Sequence, residues 1–296
     1  MNEFELIDDI VAAFESGNAP WLRVGPGDDA AVLRVPEGFE LASSIDSFLA
    51  GVHFPAGAAP ELIAYRSLMA ALSDLAAMGA DPAWALVALT MPDPDRDCAA
   101  AIARGIAEAA RDAGIEIAGG NLASGALALT VSVHGWAPSG TLLLRSGARS
   151  GEAICVSGPL GGAAQALETA NLAASVPGCL SATERSYWRP QPPFALAARL
   201  RGHASSCIDV SDGLLQDLGH LCRASGLGAS VNSAAVPLAP SAGLGHALGA
   251  SDDYVLCFTT RDAALRRDFA TIGEMTEEPG LMLDGRPADV PGYSHF

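Results

Sequence analysis

The sequence predicts an α/β protein of two domains, each a mixed sheet flanked by helices. Three observations predict it. The chain has 296 residues, 50% of them hydrophobic, which suffices for two cores of about 140 residues each. Apolar runs of period two are interleaved with runs spaced for a helix face in both halves. Acidic clusters recur where one kind of run meets the other.

Residues 4–14 read as an amphipathic helix, with Phe4, Ile7, Val11 and Phe14 on one face. Gly25-Pro26-Gly27-Asp28-Asp29-Ala30 is a turn carrying two adjacent carboxylates, followed by a strand over 30–35. Pro36-Glu37-Gly38 turns the chain into a strand over 41–45 that ends at Asp46. After a loop containing His53, a long helix runs over 60–78, with Leu68, Leu72, Leu75 and Ala76 inward and Gly79 as C-cap. A buried strand over 83–91, an Ala-rich helix over 97–114 and a short strand over 116–118 follow. Gly119-Gly120-Asn121 reads as a sharp turn before an alternating strand over 127–136. Pro138-Ser139-Gly140 is the boundary, giving domains of residues 1–138 and 139–296.

The second half opens with a strand over 153–157, a glycine turn over 158–162 and a helix reaching 174. Residues 175–186 read as polar and irregular, and Trp188-Arg189-Pro190-Gln191-Pro192-Pro193 as a rigid extended segment. A helix over 194–201 precedes Ile208-Asp209-Val210-Ser211-Asp212-Gly213-Leu214-Leu215, in which a strand delivers Asp209 and Ser211 or Asp212 caps the next helix. Ser251-Asp252-Asp253-Tyr254 leads into a strand over 255–259, a helix near 261–269 and short strands to the end.

Composition excludes several classes of chemistry. All 17 basic residues are arginine. Without lysine there is no Walker-A phosphate loop, no kinase strand lysine and no Schiff base. The net charge of −17 leaves no basic footprint for nucleic acid. An acidic chain that handles phosphate has to recruit positive charge, most simply from metal ions. The six cysteines lack CxxC spacing and read as thiols of a reduced, cytoplasmic protein without a signal peptide. Apolar stretches are interrupted before about 18 residues, so no membrane span is expected.

Asp28, Asp29, Asp46, Asp74, Asp209 and Asp212 each fall near the end of an element, where side chains commonly converge on one crevice. A solvated turn would also explain Asp28 and Asp29, and a helix cap would explain one of Ser211 and Asp212. Asp74 sits in the last turns of its helix, where a negative charge opposes the dipole, which favours a ligand role. Arg145 is either a bidentate phosphate contact or a surface arginine, and His53 either a phosphate donor or a structural loop residue. No GxSxG elbow accompanies Ser211, so the constellation points to metal-assisted binding of a nucleotide rather than to a hydrolase.

These motifs together resemble the thiamine-monophosphate kinase family of the aminoimidazole-ribonucleotide-synthetase superfamily. The resemblance runs nearly end to end, through Gly27-Asp28-Asp29-Ala30-Ala31-Val32, Ser44-Ile45-Asp46-Ser47, Leu72-Ser73-Asp74-Leu75-Ala76-Ala77-Met78-Gly79-Ala80, Arg145-Ser146-Gly147-Ala148, Ile208-Asp209-Val210-Ser211-Asp212-Gly213-Leu214 and the terminal Gly292-Tyr293-Ser294-His295-Phe296. It implies that fold, phosphorylation of thiamine monophosphate by ATP with several Mg²⁺ ions and in-line transfer, and a homodimer formed through the N-terminal domains. It implies metal ligation by Asp28, Asp29, Ser44, Asp46, Asp74, Asn121, Asp209 and Asp212, ATP contacts from Gly120, Asn121, Arg145 and Ser211, and substrate contacts from His53, Asp252 and Tyr293. Three departures stand out. Asn121 replaces a family Asp, Ile45 a family Thr, and Ala250-Ser251-Asp252 a family Gly-Gly-Glu. They keep open a diverged paralogue, either a kinase or synthetase for another acceptor or a weakly active binder of nucleotide or thiamine phosphates.

Overall fold

The structure, a computed structural model, describes residues 3–14 and 19–288. The chain divides into two compact units, the first holding residues 1–75, 81–140 and 171–181, the second holding 76–80, 141–170 and 182–296. Tyr293 lies outside the described residues.

In the first unit α1 (Glu3–Ala12), β1 (Leu22–Val24), β2 (Val32–Leu33), β3 (Phe39–Leu49), α2 (Pro60–Ala77), β4 (Asp81–Met91), α3 (Arg96–Ala113), β5 (Glu116–Ser124) and β6 (Ala128–Pro138) follow in order. Four strands form a sheet of order β3-β6-β4-β5, with β4 and β5 parallel and the other pairs antiparallel. Leu129, Val131, Val133 and Ala137 of β6 are buried at alternate positions, as a sheet with one covered face requires. The helix α3 starts where Asp95 accepts the N–H groups of Asp97 and Cys98, and stops at Gly114 in the left-handed conformation. The expected α2 is present, and Gly79 returns its N–H to the carbonyl of Ala76 at 2.9 Å.

Two expectations in this unit are corrected. The strand expected to end at Asp46 continues to Leu49, paired with β6 along its whole length, so Asp46 is an interior strand residue. The expected turn at Gly119-Gly120-Asn121 is instead the middle of β5. Gly120 serves close strand approach: a Cβ there would lie 2.0 Å from the carbonyl oxygen of Val87. On the open face of the sheet Trp21 packs against Trp84 and Trp136 at ring-centroid distances of 5.8 and 5.2 Å, and His134 stacks on Trp84 at 4.8 Å. The rest of that face leaves Phe39, Leu41, Ile45 and Leu49 of β3 and Leu86 of β4 exposed.

The second unit contains β7 (Ala153–Val156), α4 (Gly162–Thr169), α5 (Ala182–Trp188), α6 (Phe194–Leu200), β8 (Ala204–Val210), α7 (Leu214–Ser225), β9 (Gly228–Val231), α8 (Leu244–Leu248), β10 (Val255–Thr260), α9 (Ala263–Asp268), β11 (Ala270–Thr276), β12 (Gly280–Leu283) and β13 (Arg286–Pro287). Seven strands pair in the order β13-β12-β9-β11-β7-β10-β8. One face packs Ile154, Val156, Ile208 and Val210 against Leu214, Leu215, Leu218 and Leu221 of α7. The other packs Cys155, Cys207, Leu256 and Phe258 against Ala197 and Leu200 of α6 and Leu265 of α9. The two covered faces explain why these strands read as nearly continuous apolar runs. The stretch expected to be irregular to 186 contains α5, held down by the buried Tyr187 and Trp188. Trp188 therefore ends a helix rather than beginning an extended segment. Among the described residues no helix is long and apolar enough to cross a membrane.

The contact of α2 with α3 generates a stability prediction. A Cβ at Gly105 would lie 2.2 Å from the carbonyl oxygen of Glu61. Alanine gains about 1 kcal/mol in helix propensity over glycine, but overpacking against rigid backbone costs about 1–3 kcal/mol. At this distance the clash wins, so Gly105→Ala should lower the urea midpoint of unfolding.

Candidate functional site

In the first unit, the pleat of β3 puts Ser44 and Asp46 on the same side of the strand as the buried Ala42 and Phe48. Ser44 Oγ donates to Asp74 Oδ2 at 2.5 Å. Burial pushes the Asp46 carboxyl up to about 6, and the charge of Asp74 adds to the rise. Ser44 and Asp46 of β3 thus form one oxygen-rich cluster with Asp74 of α2, 30 residues on from Ser44. Asp28 and Asp29 occupy an exposed turn between β1 and β2, where the Asp29 N–H donates to Asp28 Oδ1 at 2.8 Å. His53 closes the turn after β3, its Nδ1 accepting from the Leu49 N–H at 3.1 Å.

Strand register locates the remaining residues of this unit. Asp46 stands opposite Val131, which stands opposite Val87, which stands opposite Gly120. Asn121 falls in the next row, with Ala88, Thr130 and Ser47. Its side chain therefore leaves the sheet on the face opposite to that of Asp46, and the structure does not bring Asn121 to the Ser44–Asp46–Asp74 cluster. Ile45 likewise points away from the cluster and is 64% exposed. The Ile45 departure consequently removes no hydroxyl from the cluster.

In the second unit β8 carries the buried Asp209 to the sheet's end, and the chain turns through 211–213 into α7. The expected cap by Ser211 or Asp212 is corrected: the N-cap of α7 is Gly213. Asp217, from the first turn of α7, takes the N–H groups of Ser211, Asp212 and Gly213 on Oδ2 at 3.0, 3.0 and 3.1 Å. Gly213 has φ +120°, and a Cβ there would lie 1.9 Å from the carbonyl oxygen of Gly249, so only glycine fits. Burial first, then the charges of Asp209 and Asp212, push Asp217 up to about 7. Arg145 is exposed, with Arg223 nearby; burial and then the charges of these two arginines hold His220 below its ordinary value. Asp252 is half-buried with φ +53°, donates its N–H to the Ser211 carbonyl at 3.0 Å, and accepts the Tyr254 hydroxyl at 2.9 Å. Asp253 accepts the N–H groups of Gly161 and Gly162 at the start of α4 at 2.6 and 3.0 Å, and burial pushes it up to about 6.

Sequence reasoning missed Asp217 and the structural role of Asp253. A signal existed for Asp217: it is a carboxylate on the leucine-lined face of its helix, where an unsatisfied charge would be costly.

Among the described residues no three His, Cys, Asp or Glu side chains gather as a ready metal cage. Mg²⁺ does not need one: it keeps several waters and takes one or two carboxylates plus substrate phosphates. The paired Asp46 and Asp74 with Ser44 suit that requirement, since burial and the neighbouring Asp74 charge disfavour the ionised Asp46 until a cation is present.

The raised carboxyls fix a pH dependence. Asp46, Asp217 and Asp253 keep their protons in the folded chain where the unfolded chain has lost them. The folded state then binds more protons between roughly pH 4 and pH 7, so stability falls as pH rises through that window. Metal-free protein should melt at a lower temperature at about pH 8 than at about pH 5, and Mg²⁺ should recover more of the loss at the higher pH. A melting temperature that rises over this range would remove these carboxyls as the governing groups.

Residues 27–137 match the AIR synthase related protein, N-terminal domain, and residues 149–284 match its C-terminal domain. A thiamine-monophosphate kinase of Escherichia coli (strain K12) is 38% identical over 300 residues, covering 93% of this chain and 92% of that protein. The crystal structure of a thiamine-monophosphate kinase from Stenotrophomonas maltophilia K279a superposes with a TM-score of 0.86 at 34% identity, covering 97% and 98% of the two chains. AaThiL complexed with AMPPCP and TMP superposes with a TM-score of 0.80 at 27% identity, covering 99% and 97%.

Proposed function

Because this chain belongs to the thiamine-monophosphate kinase family of AIR synthase related proteins, we propose that it transfers the γ-phosphoryl group of ATP to the phosphate of thiamine monophosphate. A phosphate oxygen of thiamine monophosphate attacks the γ-phosphorus in line, the bond to the β,γ-bridging oxygen breaks, and ADP leaves as thiamine diphosphate forms. The observation that carries this reading is the Ser44–Asp46–Asp74 cluster in a chain without lysine.

Asp46 and Asp74 would hold Mg²⁺, with Ser44 fixing the orientation of Asp74 through its hydroxyl. Asp28, Asp29, Asp209 and Asp212 are each also assigned to metal. Bound Mg²⁺ neutralises charge on the β- and γ-phosphates. Arg145 contacts phosphate, and Ser211 contacts ATP from the loop that Asp217 shapes. Gly120 is assigned to ATP, the register of Asn121 takes it out of the metal and ATP set around Asp46, and His53, Asp252 and Tyr293 are assigned to thiamine monophosphate. No side chain is assigned as proton acceptor, because the attacking phosphate oxygen is already ionised at neutral pH. The free thiols of the described cysteines fit a reducing cytoplasm.

A second copy of the chain covers the open face of the first unit's sheet. Phe39, Leu41, Ile45 and Leu49 lie on one side of β3, in line with Leu86 across β6. An apolar face on water is the kind of surface that a two-fold interface buries. Acceptor identity is the point at which a second reading stays open, because the Asp252 carboxylate is tied to the Tyr254 hydroxyl beside the altered segment 250–252.

The test is ADP release by purified protein with ATP, Mg²⁺ and thiamine monophosphate, beside controls with thiamine and with no acceptor. Turnover that depends on thiamine monophosphate is expected; turnover only with another phosphorylated acceptor would favour the second reading. Asp74→Asn should reduce turnover by about a hundredfold or more while leaving the circular dichroism spectrum unchanged. Ile45→Glu should convert a dimer to a monomer in sedimentation velocity, and an unchanged mass would displace the second copy from this face.

A further inference from the structure

Strand-to-helix junctions are ordinarily where a protein offers N–H groups and the positive end of a helix to an anion. The junction before α7 does not. Its three successive N–H groups, from Ser211, Asp212 and Gly213, all point at Oδ2 of Asp217, which is 3% exposed. The Asp217 side chain thus takes the donors that such a junction otherwise offers to an anion. The Ser211 carbonyl is taken as well, by the N–H of Asp252 at 3.0 Å. What the loop still has to offer is the Ser211 hydroxyl and the half-buried Asp212 carboxylate, which also accepts from Gln216 at 3.2 Å. The same device appears at α4, where Asp253 takes the N–H groups of Gly161 and Gly162.

We propose that Asp217 is a positioning residue: by occupying the N-terminus of α7 it converts a loop built to bind an anion into one that presents oxygen ligands to a cation. This rests on the reading of Asp212 as a metal ligand given above. Without Asp217, the three N–H groups lose their internal partner and become open to free phosphate, while Ser211 and Asp212 lose the loop shape that aims them. A buried carboxylate that holds three donors is worth more to the geometry of its neighbours than to any bond it makes itself.

The experiment compares wild type, Asp217→Ala and Asp217→Asn as full-length protein in three measurements: melting temperature, Mg²⁺ dependence of binding to ATP by calorimetry, and kinetics with thiamine monophosphate. In Asp217→Ala the Mg²⁺ concentration for half-saturation should rise about tenfold or more, with KM for thiamine monophosphate within about twofold of wild type. Inorganic phosphate without metal should raise the melting temperature of Asp217→Ala and not that of wild type. Asp217→Asn keeps an oxygen acceptor and should fall between the two. Native melting with an unchanged Mg²⁺ dependence in either variant would overturn the proposal. So would loss of cooperative unfolding in both, since Asp217 would then serve folding alone. The calorimetric comparison stands even if wild type does not phosphorylate thiamine monophosphate, so failure of the proposed function and failure of this inference are read separately.

Discussion

The constraint on which the structure depends is the crowding of carboxylates in a chain that carries no lysine. Asp46 meets the charge of Asp74 in a place where burial already disfavours its own ionised form. Asp209, Asp212 and Asp217 repeat the problem in the second unit. Two solutions are visible. Where the backbone can supply donors, it does: Asp217 and Asp253 are surrounded by N–H groups of loops and helix starts. At β3 a side chain does it instead: the Ser44 hydroxyl donates to Asp74. The first kind of carboxylate shapes backbone; the second is available for chemistry.

Elements with one covered face were legible in the sequence, because burial writes its period directly into residue choice. The strand β6 and the helix α3 are of this kind. The extent of β3 was not legible, because its open face carries Leu41, Ile45 and Leu49 and its covered face carries Ser44 and Asp46, which inverts the usual pattern. Gly119 and Gly120 spell a turn by composition, yet what Gly120 satisfies is backbone contact with β4. The site was legible as far as its acidic residues, which the chain cannot hide in an apolar sequence. The task of Asp217 was not, because a carboxylate among leucines gains its meaning only from a loop that folds back over it.

Register also changes how the departures from the family pattern weigh. Ile45 and Asn121 lie on the sheet face opposite to the Ser44–Asp46–Asp74 cluster. A β-branched apolar residue at position 45 suits an apolar face, so this change belongs with contact rather than with metal chemistry. The altered segment 250–252 differs in kind, since Asp252 contacts the Ser211 loop through its backbone. Of the three changes, this one bears directly on the shape of the second unit's loop.

The placement of the tryptophans gives the molecule an optical consequence. Trp21, Trp84 and Trp136 are clustered in the first unit, with His134 stacked on Trp84. Trp188 stands in the second unit, fully buried and, among the described residues, with no hydrogen-bond partner on its indole nitrogen. Emission from Trp188 belongs at the blue end of the indole range, whereas the cluster exchanges excitation among its members and is quenched as His134 gains a proton. A single chain thus carries two spectrally distinct reporters, one for each unit, and their melting can be followed separately without any label.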